Sequence, residues 1–278
     1  MTALAPTIPL LHGAQIPVIG LGTWPLRGAE AAAAVRTAIE AGYRLVDTAE
    51  NYQNEDGVRQ GIRDSGIDRS EIFVTTKFNK RWHSVEGARQ AFEASRQRLG
   101  VDYIDLLLIH WPNPDQDRYV QAVEGLAGLL EAGSVRAIGA SNFKPAHLQR
   151  VIEETGIVVD VNQIQLSPYM TRASTRAFDA EHGIVTESWS PIGGSSDDLR
   201  SDRVITAIAE RHGKTSTQVV LRWHIQLGLV TIPKSGHPGR IAENIDIFDF
   251  ELDADEMASI NALDRGEAAA TDSDTTGH

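Results

Sequence analysis

Four ionisable residues stand at, or shortly after, the end of a short apolar run: Asp47, Tyr52, Lys77 and His110. A lysine paired with a carboxylate can stabilise a neighbouring phenolate, which lowers the pKa of a tyrosine from about 10 and makes the phenol usable as a general acid or base. A histidine N–H beside such a donor can orient a carbonyl oxygen. Together the four side chains suit the addition of hydride to a carbonyl, if the fold brings them to one place.

Each of these residues alone also has an ordinary structural explanation. Asp47 stands where a turn or capping residue would stand, and Tyr52 where an amphipathic surface tyrosine would. Lys77 resembles a solvated lysine, and His110 a packed histidine before the turn that follows it. Their joint occurrence after successive strands favours a site over four unrelated features.

The elements that must position these residues are eight short β-type runs that alternate with helical stretches. The runs are 19–22, 44–47, 72–76, 104–109, 135–140, 159–164, 184–188 and 229–232. Between them, a helix over 30–41 stops at Gly42, a helix over 118–132 stops at Gly133, and residues 215–218 have the spacing of a capping box. The runs are apolar along their length, as parallel strands buried on both faces are. The sequence therefore predicts an α/β protein, a closed (β/α)8 TIM barrel.

The alternative fold is an open, doubly wound sheet, which usually carries a G-x-G-x-x-G turn after its first strand. The motif Gly20-Leu21-Gly22-Thr23-Trp24 does not continue to a third glycine. In a barrel, the carboxyl ends of the strands meet at one mouth. Asp47, Lys77 and His110 would converge there.

The remaining elements predict a single domain over residues 1–278. Short apolar segments at 8–11 and 16–19 indicate an N-terminal β-hairpin. Asp253 and Glu256 have capping-box spacing and open an extra C-terminal helix that runs to about Leu263. Residues 266–278 are interpreted as a flexible tail.

Composition restricts the partners. The formal charge is −12, from 38 acidic and 26 basic residues, so the overall field repels nucleic acid and anionic membranes. The absence of cysteine excludes disulfides and thiolate chemistry and fits the cytoplasm. The N-terminus lacks signal-peptide features, and no run approaches the ~18 apolar residues of a membrane span. The nine histidines are scattered, so no metal site is predicted.

The other strand ends carry groups suited to a nicotinamide cofactor, which hydride addition requires. Ser141, Asn142 and Gln163 offer hydroxyl and amide groups for a carboxamide, and the indole of Trp189 could stack on a flat ring. After the last strand, a lysine, a hydroxyl and an arginine precede or open a helix, an arrangement typical of a phosphate site. These residues are Lys234, Ser235 and Arg240.

As a set, these motifs resemble the aldo-keto reductases, in particular the bacterial 2,5-diketo-gluconate reductase-like members, from Ile16 to Leu263. The matching motifs are Gly20-Leu21-Gly22-Thr23-Trp24, Asp47-Thr48-Ala49, Tyr52 with Asn54-Glu55, Thr76-Lys77, Ile109-His110-Trp111-Pro112, Gly139-Ala140-Ser141-Asn142-Phe143, Asn162-Gln163, Ile232-Pro233-Lys234-Ser235 and Glu243-Asn244.

The resemblance implies a role for each matching residue. Tyr52 would be the general acid in the NAD(P)H-dependent reduction of a carbonyl to an alcohol, Lys77 would lower its pKa, Asp47 would fix Lys77, and His110 would orient the substrate. The implied cofactor residues are Ser141, Asn142 and Gln163 at the carboxamide, Trp189 on the nicotinamide, Ser190, Ile192 and Gly193 at the pyrophosphate, Lys234, Ser235 and Arg240 at the 2′-phosphate of NADPH, and Glu243 and Asn244 at the adenine. A monomer acting on a small carbonyl compound is also implied.

The chain departs from the family pattern in three places: after the sixth strand, in the tail and in the loop after the eighth strand. Gln165-Leu166-Ser167-Pro168 replaces a Glu-x-His-Pro element, and the tail lacks the usual Gly-Arg and Pro-Asp elements. The loop Gly236-His237-Pro238-Gly239 holds no further arginine, so NADH stays an alternative to NADPH.

Trp24, Trp82 and Trp111 near the mouth are candidates for the wall of a substrate pocket, but indoles there also serve packing.

Two other functions compete with the reductase. A lysine at a barrel strand end can form a Schiff base, as in class I aldolases, with Lys77 as the nucleophile. A non-catalytic subunit that binds the cofactor is the other alternative. The complete set of four ionisable residues disfavours the subunit, and the phosphate-site residues together with Trp189 disfavour the aldolase.

Overall fold

Eight parallel strands in chain order form the centre of the molecule. The structure is a computed structural model, and it describes residues 4–194 and 198–277. The strands are β3 (Leu21–Gly22), β4 (Leu45–Asp47), β5 (Phe73–Phe78), β6 (Ile104–Ile109), β7 (Val135–Ser141), β8 (Val161–Gln165), β9 (Val185–Trp189) and β10 (Val230–Thr231). All eight coincide with the runs predicted from the sequence, with ends that differ by at most two residues. The predicted α/β barrel is confirmed.

The sheet closes where its first strand meets its last. The Gly20 amide donates to the Thr231 carbonyl oxygen at 2.9 Å, and the Thr231 amide donates to the Val18 oxygen at 3.0 Å. The backbones approach closely here, because a Cβ added at Gly22 would stand 2.8 Å from the Ile232 carbonyl oxygen. The two glycines that resemble the start of a dinucleotide motif therefore serve barrel closure, since a Cβ at Gly20 would also collide with Leu45.

Alternation along the strands brings the ionisable residues to the inner face. Leu45, Phe73 and Val161 belong to one buried cluster, with Val185 packed against it at the amino-terminal side of the barrel interior. Side chains two or four positions further along a strand point the same way. The rule places Asp47 above Leu45, Lys77 above Phe73, Gln163 above Val161, and Glu187 and Trp189 above Val185.

Within the described residues, ten α-helices cover the barrel, its ends and the loops. They are α1 (Gly28–Glu40), α2 (Glu55–Ser65), α3 (Val85–Leu99), α4 (Tyr119–Glu131), α5 (Pro145–Thr155), α6 (Ala173–Glu181), α7 (Arg203–His212), α8 (Ser216–Gln226), α9 (Pro238–Ile245) and α10 (Ala254–Asn261). Both predicted capping boxes are present, at Thr215 before α8 and at Asp253 before α10. Over the same part of the chain, no helix has the length and apolar character needed to cross a bilayer.

The N-terminal hairpin pairs β1 (Thr7–Pro9) with β2 (Gln15–Pro17) in antiparallel register. Ile16 is fully buried in the cluster at the amino-terminal side of the barrel interior. The turn is fastened by Asp160, whose carboxylate accepts from the His12 amide and lies 2.9 Å from its ring Nδ1. The predicted hairpin is confirmed, and it closes the end of the barrel opposite the mouth.

The C-terminal segment, interpreted from the sequence as a flexible tail, lies against the barrel over its described residues 266–277. The Lys144 ammonium contacts the carboxylates of Asp272 and Asp274, both at 2.6 Å. The Thr271 amide donates to Gln165 Oε1 at 2.8 Å, in the segment Gln165-Leu166-Ser167-Pro168 singled out in the sequence. The segment is therefore docked by polar contacts in this structure, and its mobility stays a prediction.

A buried carboxyl stands between the barrel and its helical layer. Asp179 of α6 is 0% exposed and accepts from Asn162 Nδ2 at 3.2 Å and from Thr186 Oγ1 at 2.8 Å. Burial raises the pKa of Asp179 to about 7. Asn162 Oδ1 has no hydrogen-bond partner among the described residues.

We expect Asp179→Asn to flatten the dependence of stability on pH. The folded state holds a proton on Asp179 that the unfolded state releases above pH 3.8, so stability falls as pH rises from about 4 to about 7. The loss is at most about 4 kcal/mol. Urea midpoints measured between pH 5 and pH 8 should therefore vary less in the variant. The exposed substitution Asp102→Asn is the control, and equal slopes for Asp179→Asn and wild type would contradict the assignment.

Candidate active site

The ammonium of Lys77 joins three of the elements at the barrel mouth. Its Nζ lies 2.7 Å from Asp47 Oδ1, 2.9 Å from the Thr48 carbonyl oxygen and 3.3 Å from the Tyr52 hydroxyl. Lys77 is 1% exposed. Asp47 is paired with Thr75 in the register of β4 and β5. Lys77 is the next inward-facing residue of β5 after Thr75, so it lies closer to the mouth and reaches the loop after β4. The structure thus brings together Asp47, Tyr52 and Lys77.

The loop that carries Tyr52 is held by a buried asparagine. Asn54 accepts from Thr48 Oγ1 at 2.6 Å and donates through Nδ2 to the Leu26 carbonyl oxygen at 2.8 Å. These bonds fix both ends of the loop across the short 3-10 turn Glu50–Tyr52. The half-buried ring of Tyr52 meets the ring of His110 edge to face, with centroids 5.8 Å apart. The fourth sequence-predicted residue therefore lies beside the other three.

Burial and charge act in opposite directions on the pKa values of this group. Burial disfavours the charged form of Lys77, but the Asp47 carboxylate, together with Tyr52 and Glu187, outweighs burial and raises the lysine pKa. Burial raises the pKa of Tyr52, and the ammonium of Lys77 only partly opposes this. The sequence expectation of a lowered tyrosine pKa is therefore wrong in direction for this structure, because burial of the ring cannot be inferred from residue spacing.

Glu187, a carboxyl beneath this group, is not among the residues predicted from the sequence. Gln163 Nε2 donates to Glu187 Oε2 at 2.7 Å and to Asp47 Oδ2 at 2.8 Å. Glu187 is 0% exposed. Burial, together with the negative charge of Asp47, raises its pKa to about 8. Its position two residues before Trp189, on the same face of β9, is the signal that could have identified it.

Asn142 connects two parts of the site. Its Nδ2 donates to the His110 carbonyl oxygen at 3.0 Å, and its Oδ1 accepts from the Trp189 indole at 2.9 Å. Ser141 Oγ donates to the backbone carbonyl oxygen of Gln163 at 2.9 Å. Asn142 adopts a left-handed backbone, with φ of 65°, which asparagine tolerates better than most residues. The predicted carboxamide residues thus lie together, and the Trp189 ring is held in a fixed orientation.

The predicted phosphate and adenine residues lie outside this cluster, on the loops after β9 and β10 and in helix α9. Ser190 directly follows β9, and Ile192 packs against the hydrophobic core. Gly193 has a φ of 82°, which only glycine adopts readily. They continue the chain from Trp189 along the edge of the mouth.

After β10, the cationic side chains are exposed and the neutral ones buried. Lys234 and Arg240 are exposed, whereas Ser235 and Asn244 are 6% and 4% exposed. Arg240 lies in the first turn of α9. Glu243, in the same helix, accepts from Thr215 Oγ1 at 2.8 Å. Two exposed cations therefore lie next to the beginning of a helix, where the helix dipole also favours an anion.

The three tryptophans proposed for the pocket wall differ in their surroundings. Trp111 is 7% exposed and its ring is stacked near that of His110, with centroids 6.4 Å apart. Trp82 is half-buried, and its Nε1 donates to the carboxylate of Glu50 at 3.0 Å. Trp24 follows β3 and is 62% exposed. Trp111 is thus adjacent to the ionisable group, Trp82 is fixed by the turn that carries Tyr52, and Trp24 faces solvent.

This arrangement, a closed parallel barrel with ionisable residues at the carboxyl ends of its strands, is that of a (β/α)8-barrel enzyme. A family model described as the aldo/keto reductase family matches residues 18–265. The chain is 48% identical over 272 residues to an aldo-keto reductase of Mycolicibacterium smegmatis, with 97% of each chain covered. It is 47% identical over 270 residues to 2,5-diketo-D-gluconic acid reductase B of a Corynebacterium species, again with 97% of each covered.

A solved structure gives the same result. The aldo-keto reductase of Bombyx mori in complex with NADP matches with a TM-score of 0.89 at 36% identity, over 94% of each chain. The chain therefore belongs to the aldo/keto reductase family. The resemblance inferred from the sequence motifs is confirmed.

We expect Asp47→Asn to destabilise the protein by about 3 kcal/mol, because it leaves the ammonium of Lys77 buried without its carboxylate. The measurement is the free energy of unfolding from urea denaturation. Glu40→Gln is the matched control, since it removes an exposed ion pair with Arg36 at 3.7 Å and should cost less than about 0.5 kcal/mol. Equal losses in the two variants would show that the buried pair contributes no more than the surface pair.

Proposed function

We propose that the protein reduces a carbonyl to an alcohol with NADPH, and that Tyr52 is the proton donor. The observation that carries the proposal is the 3.3 Å contact between the Tyr52 hydroxyl and the buried ammonium of Lys77. The lysine donates in this contact, so the tyrosine oxygen accepts and its own hydrogen is directed elsewhere. The ring of His110 lies edge to face with that of Tyr52, with centroids 5.8 Å apart, so its N–H could orient a carbonyl oxygen toward the Tyr52 hydroxyl.

The residues at the mouth fit the parts of a nicotinamide cofactor. Both N–H groups of the Gln163 side-chain amide are used within the protein. Its side-chain oxygen, Oε1, is therefore the group left to accept from a carboxamide. Ser141 and Asn142 adjoin it, and the oriented indole of Trp189 offers a flat apolar face. Ser190, Ile192 and Gly193 then lie where the chain would follow a pyrophosphate.

The far end of the cofactor would lie on α9 and the loop before it. Lys234, Ser235 and Arg240 would bind the 2′-phosphate, with Glu243 and Asn244 at the adenine. Exposed cations beside a helix beginning favour NADPH over NADH, because only NADPH brings a further phosphate to pair with them. The relative from Bombyx mori, solved with NADP, supports the same choice.

The proposed reaction is R₂C=O + NADPH + H⁺ → R₂CHOH + NADP⁺. NADPH would supply the hydride, and a side chain of the protein would donate the proton. Tyr52 donates its phenolic proton to the carbonyl oxygen, and the ammonium of Lys77 stabilises the phenolate that remains. Asp47 holds the ammonium in place, and His110 orients the substrate oxygen.

The aldolase alternative is disfavoured by the state of Lys77. A Schiff-base lysine must reach the neutral amine, which requires a lowered pKa. Here the carboxylate of Asp47 at 2.7 Å raises it. The non-catalytic alternative is disfavoured because all four ionisable residues are present with intact side chains and lie together.

The relative named 2,5-diketo-D-gluconic acid reductase B favours keto acids of sugar type among the substrates to be tested. Trp111 beside His110 is the aromatic wall we propose for the pocket, with Trp82 and Trp24 further out. A monomeric state and a cytoplasmic location stay predictions.

We expect Tyr52→Phe to lower the turnover number for carbonyl reduction by about 10²- to 10⁴-fold, the range of general acid catalysis, with little change in cofactor binding. Turnover is followed as NADPH oxidation with an α-keto ester, an aromatic aldehyde and a keto-sugar acid. Binding is followed by quenching of tryptophan fluorescence. Tyr103→Phe, at the opposite end of the barrel, is the control. Wild-type turnover in Tyr52→Phe would refute the assignment of the proton donor.

Lys234→Ala and Arg240→Ala should each raise the Michaelis constant for NADPH by about tenfold and leave that for NADH nearly unchanged, since only NADPH has a 2′-phosphate to lose its partner. The constants are measured with both cofactors and one carbonyl substrate. Arg36→Ala, on the outer face of α1, controls for loss of a surface charge. An equal effect on the two cofactors would remove the 2′-phosphate assignment.

A further inference from the structure

A second carboxyl lies in the barrel interior beneath the proposed proton donor. Glu187, on the inner face of β9, is 0% exposed. Its Oε2 accepts from Gln163 Nε2 at 2.7 Å, and its Oε1 has no hydrogen-bond partner among the described residues. The mechanism proposed above assigns no role to this group.

The interior therefore holds two carboxyls and one ammonium. Asp47 has the ammonium of Lys77 at 2.7 Å, and that charge opposes the rise in the Asp47 pKa that burial causes. Among the described residues Glu187 forms no ion pair, and its one side-chain hydrogen bond is accepted from the Gln163 amide N–H. Because a buried carboxylate without a counter-ion is strongly unfavourable, Glu187 is the carboxyl that holds a proton.

Gln163 couples the two carboxyls. An amide nitrogen carries two hydrogens, and here one goes to Asp47 Oδ2 and the other to Glu187 Oε2. The same residue offers its carbonyl oxygen to the proposed cofactor. A change of charge on Glu187 is thus transmitted to Asp47, and from there to Lys77, through the Gln163 amide that both carboxyls share.

The charged and titratable groups facing Glu187 are few. Asp47 faces it from β4, Lys77 from β5, and Tyr52 from the loop after β4, while its register neighbour Val230 on β10 is neutral. Burial, with the charge of Asp47, raises the pKa of Glu187 to about 8. Its negative charge in turn raises the pKa of both Tyr52 and Lys77.

We propose that Glu187 is a positioning residue for proton transfer, whose neutral carboxyl keeps the charge beneath Tyr52 balanced and whose ionisation makes the Tyr52 phenol a weaker acid. The inference rests on the proposed function, in which Tyr52 donates the proton. Glu187 does not touch the substrate and acts through Gln163, Asp47 and Lys77. It adds an ionisation to the pH profile that the four residues at the mouth alone would not give.

Glu187→Gln tests the inference, because glutamine keeps the size and the hydrogen-bond acceptor but never ionises. In alcohol oxidation the Tyr52 phenolate accepts the proton from the alcohol. The kcat/KM for this direction therefore rises with pH as the Tyr52 phenol ionises. Without the charge of ionised Glu187, this rise should move to lower pH by about one unit. The dissociation constant of NADPH should change by less than about twofold, since no contact with the cofactor is removed.

Asp179→Asn is the matched control. Asp179 is also a buried carboxyl with a raised pKa, but it lies between α6 and the outer face of the barrel. Its replacement should alter the dependence of stability on pH and leave the pH profile of kcat/KM in place. A general effect of removing a buried carboxyl would appear in both variants.

The outcomes separate the inference from the proposed function. Wild-type turnover with an unchanged profile in Glu187→Gln, or the same shift in Asp179→Asn, would overturn the inference and leave the function standing. Absence of wild-type turnover with either cofactor would refute the function and the inference with it. If Glu187→Gln does not fold, infrared spectra of the Asp179→Asn protein decide: we expect a protonated-carboxyl stretch that disappears as pH rises through about 8. Its absence below that pH would overturn the inference.

Discussion

The buried ammonium of Lys77 is the constraint on which the site depends. Taking a charge out of water is expensive, so a lysine that is 1% exposed must have all three of its hydrogens satisfied. The Asp47 carboxylate, the Thr48 carbonyl oxygen and the Tyr52 hydroxyl provide those three acceptors. Because the hydroxyl accepts from lysine, its own hydrogen can go only to another group. The requirement that stabilises the fold thus also orients the hydroxyl that we propose as the proton donor.

The barrel meets this requirement through the two-residue period of its strands. A strand that fills the amino-terminal side of the interior with Leu45 or Phe73 must present its next inward positions toward the mouth. Closure by Gly20 and Gly22 holds the first and last strands close enough for the ring to be complete. The apolar layer excludes water from below, which strengthens every charge interaction above it.

Much of this could be predicted from the sequence, because strand ends and helix caps are local signals. Asp47, Lys77 and His110 each end a readable apolar run, which was enough to bring them to one mouth once a barrel was inferred. Glu187 was missed because it stands inside a polar strand, between Thr186 and Ser188, where no apolar run marks its position. The docking of the C-terminal segment was missed because Lys144 and Asp272 are far apart in the chain. Burial explains the remaining error, since no spacing reports how deeply the Tyr52 ring is enclosed.

Asp179 and Glu187 show why position decides what a buried carboxyl does. Both are 0% exposed and both have pKa values raised by burial, so both couple protonation to the folded state. Asp179 faces the hydroxyl of Thr186 and an amide on the outer side of the sheet, and its charge meets no group of the proposed reaction. Glu187 faces the inside, one amide away from the partner of Lys77, where a single negative charge changes the acidity of the phenol. The alternation of the strands therefore separates a carboxyl that tunes stability from one that tunes proton transfer.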